Sequence, residues 1–398
     1  MSKKLMILGA GRGQIGLIKA SKKLGYITIV ASIEGNYPGF KYADEVCYVD
    51  ISKPEAVYEM AKKNNIDGIA TACLDTGIAS IGYVCDKLNL CGLNAKAAKI
   101  SNNKLLMKKA FEDNGVSTAR FREIWNEKDV YKACRSLEFP LIIKAVDLQG
   151  SKGIYICNNE EEVKNSYSKV MSESKQDYCI IEEFIEGEEF GAQALVLDNE
   201  IVFVLPTSDE TFRGNTNIPV GHAVPFNCPK AEYDIICKQV QQAIYAIELN
   251  NCAVNVDLIK KGDKYYVIEL TGRAGANCLP ELTSIYYDIP FYEIIALLAI
   301  GEKERVREIF SCADKPQTAA IAKMLFVDKD GMIKDIKCNK EKENYVYDIT
   351  FFVEEKSDVR KFENSRDCIG QAIVTGEDII DCNEKMEELI SSISYTIE

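Results

Sequence analysis

The sequence predicts an α/β domain built on a parallel sheet, followed by two α+β parts. Three observations carry this. Up to about residue 97, short apolar runs of strand length alternate with helical patterns, which means a parallel sheet wrapped by helices. From about Ser101 the texture shifts to lysine-bearing helices and strands around a Gly/Ser loop. Finally, Asn255–Arg273, reading NVDLIKKGDKYYVIELTGR, has the alternation of a hairpin around Gly262 and Asp263.

In the first part, Leu5–Leu8, Thr28–Ala31, Val46–Val49 and Gly68–Ala72 read as strands. Gln14–Leu24, Pro54–Lys63 and Thr76–Leu88 read as helices. Gly11-Arg-Gly13-Gln-Ile-Gly16 is a GxGxxG between strand and helix. It has two readings: a dinucleotide cradle, with Glu34 near the place of the ribose acid, or a tight turn in a Rossmann-like domain with another task.

Beyond Ser101, Asn102–Asn114 is a helix pattern with Lys104, Lys108 and Lys109. Trp125 and an Asp129–Leu137 helix lead to the strand Phe139–Ala145, which holds Lys144. The loop Asp147–Gly153 contains Gly150, Ser151 and Gly153. A lysine on a strand feeding such a loop suits phosphate, because N–H groups and a hydroxyl cradle oxygens while the ammonium offsets charge. The alternative is a hairpin turn with a surface lysine. Tyr178–Ile185 is a strand that includes Glu182 and Glu183 and leads into Glu186–Glu189. After strands Phe190–Leu197 and Asn199–Val204 and a loop at Pro206–Phe226, the helix Ala231–Leu249 delivers the chain to the hairpin.

A three-residue loop Gly262–Lys264 would pair Asp257 with Glu269 and Asn255 with Thr271, and would bury Val256, Leu258, Ile268 and Leu270. Directly opposed acids repel unless a cation lies between them, and a divalent metal with oxygen ligands is the candidate. The bland alternative is a solvated hairpin. Phe291–Ile300 is an apolar helix, and charged residues at Glu302–Glu308 mark a boundary. The tail reads as strands Ala319–Val327, Ile333–Lys337, Val346–Val353 and Ile369–Thr375, then a helix from Asp378 to about Ile393.

The balance is acidic, 61 Asp+Glu against 48 Lys+Arg, which argues against a surface that wraps nucleic acid. Fifteen cysteines without a CxxC pair read as free thiols in a reducing compartment. The longest apolar run, Ile294–Ile300, is far short of the roughly 20 residues of a membrane span. The expected location is the cytoplasm.

Lys104, Lys144 with its Gly loop, Glu182–Glu189 and Asp257/Glu269/Arg273, in that order, resemble the ATP-grasp superfamily, in particular its carboxylate–amine (L-amino-acid) ligases. The resemblance spans nearly the whole chain. It implies a Rossmann-like N-terminal domain at 1–97, an ATP-grasp domain of two α+β subdomains at 98–308 and a small α+β domain at 309–398. It also implies ATP as co-substrate, with Lys104, Lys144 and the Gly150–Gly153 loop on its phosphates. Glu182, Glu183 and Ile185 would belong to the segment that reads adenine, and Glu189 would bind the ribose. Asp257 and Glu269 match carboxylates that hold Mg2+, with Mn2+ as the alternative ion. Arg273 matches the arginine at the transferring phosphoryl group. Thr271 departs from the pattern, since many members carry Asn there, and this leaves a second metal site open. His222, the one histidine, and Arg213 lie in a segment resembling the acceptor side; His222 either orients substrate or acts as a base, or is structural, and Arg213 either binds a substrate carboxylate or is a surface residue.

The expected reaction joins a small-molecule carboxylate to an amine through an acyl phosphate, releasing ADP and phosphate. Partners are small molecules, without nucleic acid or membrane, and related enzymes are often homodimers. The resemblance moves the GxGxxG away from NAD. A purine-pathway or carbamoyl-phosphate-type enzyme is the alternative, and a nucleotide- or NAD-binding module without ligase activity is the third reading.

Overall fold

The computed structural model describes residues 2–148, 152–213, 217–311 and 317–398. Two compact units share the chain: Met1–Val204, Lys230–Ala274 and Tyr292–Val306 form the first, and Leu205–Pro229, Gly275–Phe291 and Arg307–Glu398 the second.

The first unit opens with β1 (Lys4–Leu8), α1 (Ile15–Lys23), β2 (Ile27–Ser32), β3 (Glu45–Tyr48), α2 (Pro54–Asn64), β4 (Gly68–Ala70) and α3 (Ile78–Leu88). The four strands form a parallel sheet ordered β3-β2-β1-β4, as the alternating pattern requires. Leu5, Met6, Ile7 and Leu8 of β1 are wholly buried, the mark of a strand covered on both faces. The GxGxxG glycines serve close packing. A Cβ on Gly13 would lie 2.7 Å from Cys73 Cβ, and one on Gly16 would lie 2.3 Å from the Tyr292 ring. Gly16→Ala is therefore expected to destabilise the chain by about 1–3 kcal/mol through overpacking. A thermal unfolding midpoint equal to that of the parent would refute this.

Next come α4 (Ala95–Ser101), α5 (Lys104–Asp113), β5 (Phe121–Ile124), α6 (Glu127–Ser136), β6 (Leu141–Ala145), β7 (Ile154–Cys157), α7 (Glu160–Glu173) and β8 (Cys179–Glu183). The helix expected over Asn102–Asn114 is α5. It starts at Lys104, because the Asn103 side chain caps it by accepting from the Leu106 N–H, and the short α4 ahead of it was not expected. The strands form an antiparallel sheet ordered β5-β8-β6-β7, and α6 and α7 pack on it around Leu141, Ile143, Val163 and Ile181.

The unit is completed by β9 (Glu188–Leu197), the first part of β10 (Glu200–Arg213) and, after β11 (Asn217–Val224), by α8 (Lys230–Ala246), β12 (Cys252–Lys261) and β13 (Lys264–Thr271). β12 is antiparallel to both β9 and β13. The hairpin differs from the expected register near its turn. Lys261 pairs with Lys264 around a two-residue turn, with Gly262 at φ +59°, and a bulge lets Leu258 pair with Val267. Val267 is wholly buried in the place expected for Ile268, which is only partly buried. Because the bulge lies on the turn side of the acids, Asp257 still faces Glu269 and Asn255 still faces Thr271.

The second unit holds the rest of β10 with β11, α9 (Leu279–Tyr287), β14 (Ala319–Leu325), β15 (Gly331–Cys338), β16 (Val346–Phe351), β17 (Asp358–Val359), β18 (Gly370–Gly376), α12 (Ile379–Ser391) and β19 (Ile393–Ile397). The stretch 206–226, expected as a loop, is mostly the antiparallel pair β10–β11. β11 continues to β14, β18 and β16. The helices α10 (Phe291–Ile300) and α11 (Lys303–Ser311) carry the chain between units. Among the described residues no single helix is long and apolar enough to cross a membrane, and none of the fourteen described cysteines is in a disulfide.

Candidate active site

The site is built on one face of the β9–β12–β13 ladder. Gln193 pairs with Asn255, Asp257 with Gly191 and Ile259 with Glu189 on one side of β12. On its other side Asn255 pairs with Thr271 and Asp257 with Glu269. Since directly opposed residues share a face, Glu189, Gln193, Asn255, Asp257, Glu269 and Thr271 share one surface. The buried Gln193 amide donates to Asn255 Oδ1 at 2.7 Å, and Asn255 Nδ2 donates to Asp257 Oδ1 at 3.1 Å. Asp257 thus projects exposed at the end of an oriented chain of amides.

A pocket opens over this surface, lined by Asp75, Lys104, Asn255, Asp257, Glu269, Thr271 and Arg273 among others. Lys104 is held twice: its Nζ donates to the Leu148 carbonyl at 2.8 Å and lies 3.4 Å from Glu269 Oε2. Arg273 is gripped as a fork. Its Nε and Nη2 donate to Asp75 Oδ1 and Oδ2, each at 2.7 Å, and its Nη1 donates to the Ala274 carbonyl. Burial opposes the Asp75 charge, but Arg273 more than offsets it, with smaller help from Thr271 and Lys104, and holds the carboxyl below its usual range. Burial works against the Arg273 charge as well, but Asp75 prevails and raises it.

Asp75 had no place in the sequence reading. It sits just beyond the C-terminal end of β4, where open parallel sheets bind ligands, and that position was the available signal. It could not reveal the Arg273 partnership, which joins residues 198 positions apart.

A second charged group stands outside the lining of this pocket. Lys144 Nζ is 3.3 Å and Lys108 Nζ 3.0 Å from Glu182 Oε2, and all three side chains are buried. Burial pushes Glu182 up, yet the two ammoniums prevail and lower it; burial also lowers Lys108 despite Glu182. Lys108 lies one helical turn past Lys104 on α5, so one helix presents a lysine to each of two carboxylates.

Elsewhere on the same wall, the Glu183 carboxylate accepts from Arg120 Nε and from the Glu138 N–H, both at 2.9 Å. The N–H groups of Glu183 and Phe184 donate to the carbonyls of Arg120 and Pro140. Ile185 is half-buried. Gly153, at φ +63°, ends the β6–β7 connection; a Cβ there would lie 2.9 Å from both Ala145 and Leu148. Gly150 and Ser151 lie outside the described residues.

In the second unit, His222 pairs with Asp209 across β11 and β10, and its Nδ1 is 2.7 Å from Asp209 Oδ1. The imidazole is buried. Arg213 ends β10, and its side chain lies outside the description.

The donors facing the pocket suit Mg2+. Asp257, Glu269 and Thr271 offer oxygen alone. The Thr271 hydroxyl is buried without a hydrogen bond of ordinary geometry, lying only near the Asp75 carboxylate. Among the described residues no cluster of three or more His, Cys, Asp or Glu could hold a metal by itself. Mg2+ is typically bound by one or two carboxylates completed by substrate phosphates, so two opposed acids are a sufficient protein share.

Comparison with known proteins bears on this geometry. The chain is 46% identical to phosphoribosylglycinamide synthetase from Anaerococcus prevotii, with all of both chains covered and a TM-score of 0.88. The chain belongs to the ATP-grasp superfamily. Residues 102–218 of this ATP-grasp protein match the phosphoribosylglycinamide synthetase ATP-grasp (A) domain family. The L-amino acid ligase from Bacillus licheniformis shares the fold, at 18% identity and a TM-score of 0.82 over 100% of this chain and 99% of that one. The carbamoyl phosphate synthase large chain of Clostridium botulinum (strain Kyoto / Type A2) is 21% identical over 324 residues, 76% of this chain. The chain spans only 29% of that relative's length.

Proposed function

We propose that this ATP-grasp protein is an ATP-dependent carboxylate–amine ligase that forms an amide or peptide bond through an acyl phosphate. The observation that carries the reading is the opposition of Asp257 and Glu269 on a face shared with Glu189, beneath Lys104 and Arg273. A substrate carboxylate oxygen attacks the γ-phosphorus of ATP, the bond from that phosphorus to the bridging oxygen breaks, and ADP leaves. The amine nitrogen then attacks the acyl carbon, inorganic phosphate departs and the nitrogen loses a proton.

Each residue acts by position and charge. Lys104 and Lys144 neutralise phosphate oxygens, and the loop bearing Gly150, Ser151 and Gly153 covers them. Glu182, Glu183 and Ile185 form the base wall, where Ile185 supplies apolar contact, and Glu189 takes the ribose hydroxyls. Asp257 and Glu269, with Thr271 beside them, would hold Mg2+, which supplies charge neutralisation at the phosphates; Mn2+ would satisfy the same oxygens. The two Arg273 N–H groups not taken by Asp75 or Ala274 would meet phosphoryl oxygens. His222, its Nδ1 engaged by Asp209, orients the acceptor or takes its proton through Nε2.

We assign residues 1–97, 98–308 and 309–398 to three domains. Fourteen described cysteines outside disulfides support a cytoplasmic setting, and a homodimer working on small molecules is the expected form. A second reading narrows the substrates to glycine and a phosphoribosylamine, favoured by the 46% identity to a protein named for that product.

The deciding experiment follows ADP and phosphate release by the purified chain with Mg-ATP. One arm supplies pairs of amino acids and the other glycine with phosphoribosylamine, with products identified by mass spectrometry. Release in either arm supports the ligase, and the productive arm selects the substrates. Release of AMP and pyrophosphate, or turnover with neither set, would overturn it.

A further inference from the structure

We propose that Lys108 and Thr118 are positioning residues that tie the base wall at Glu182 to the metal-bearing strand β13, so that base recognition and metal binding are set together. This rests on the nucleotide reading above.

The connection is continuous. Lys108 is 2% exposed, and its Nζ lies 3.0 Å from Glu182 Oε2 and donates to Thr118 Oγ1 at 2.5 Å. Thr118 Oγ1 donates in turn to the Val267 carbonyl at 2.7 Å, and the Val267 N–H donates to the Ser117 carbonyl at 2.8 Å. Val267 stands beside the β13 bulge, two residues before Glu269. Ser117 is itself anchored, its N–H donating to Gln239 Oε1 on α8 at 3.2 Å.

A buried ammonium needs a counter-charge, and Glu182 already provides one. Thr118 is neutral and adds nothing to that balance. What its hydroxyl does is fix the ammonium relative to a backbone carbonyl of the strand that presents Glu269. One turn earlier on the same helix, Lys104 reaches Glu269 itself at 3.4 Å. The helix α5 is therefore a strut between the base wall and the metal acids, and a shift of Glu182 is passed to β13 through two short hydrogen bonds.

Such indirect supports typically change metal affinity by roughly 10–100-fold when removed. Calorimetric binding of ATP and ITP to the full chain, each with and without Mg2+, tests the idea without knowledge of the other substrates. Thr118→Val is close to isosteric and keeps every charge, so it leaves the fold standing. It is expected to cut the Mg2+-dependent gain in ATP affinity roughly 10-fold, and Thr118→Ser, which restores the hydroxyl, to recover it. Lys108→Met leaves Glu182 paired with Lys144, so no unpaired charge remains on the relay, and it is expected to erase the preference for ATP over ITP. A Thr118→Val protein whose Mg2+ response equals that of the parent overturns the coupling. So does a Lys108→Met protein that keeps the parent's ATP preference. A parent that binds no Mg-ATP would overturn the nucleotide reading and this inference with it.

Discussion

Replacing Asp257 or Glu269 with Ala is expected to lower the rate of ADP release by about 10³-fold, equivalent to roughly 4 kcal/mol of transition-state stabilisation. Both acids face the pocket, and neither is deeply buried: Asp257 is exposed and the Glu269 side chain retains 42% of its accessibility. Substitutions at such positions usually move stability by no more than about 0.5 kcal/mol. The loss should therefore fall on turnover while the unfolding midpoint stays put. Coupled-enzyme detection of ADP, read beside thermal unfolding, separates the two. If either variant keeps turnover within tenfold of the parent, the metal assignment fails.

Arg273→Met should act on both properties. It removes the guanidinium proposed to meet the transferring phosphoryl group, so turnover should fall below detection. It also strands the partly buried Asp75 carboxylate, whose two oxygens both accept from Arg273. Removing one partner of a buried pair costs about 3–5 kcal/mol when burial is complete. Asp75 keeps 24% of its side-chain exposure, so about 2–3 kcal/mol is the expectation here. Adding Asp75→Leu should recover most of that stability and none of the activity. A double variant no more stable than Arg273→Met would show that the pair does not carry the stability, and one that regains turnover would remove Arg273 from the chemistry.

The amount legible in the sequence differs between parts of the site for physical reasons. The parallel sheet was legible because β1 and its neighbours are covered on both faces, and continuous burial writes continuous apolar runs. The β10–β11 pair was not, because Asp209, Glu210, Pro219 and Gly221 break the apolar pattern of its strands and read as loop. The helix α5 was legible behind its cap Asn103, whereas α4, only seven residues long, is too short to show a clear apolar period. Asp75, Lys108 and Thr118 stood in plain view as residues, yet their partners Arg273, Glu182 and Val267 are distant in sequence. No local pattern encodes such pairs.

The hairpin at Asn255–Arg273 shows where the division falls. Its sequence alone determined that Asp257 opposes Glu269, because side chains alternate along a strand and only that register keeps Val256, Leu258 and Leu270 together in the core. It also determined, through the order of Lys104, Lys144, Glu182 and Glu189, the class of fold. The tertiary structure decided the rest: the two-residue turn, and the bulge that buries Val267 where Ile268 was expected. The reason lies outside the hairpin. The free edge of β13 binds Ser117 and Thr118 at Val267, and the partner that claims a strand's outer edge is set by how the whole chain packs.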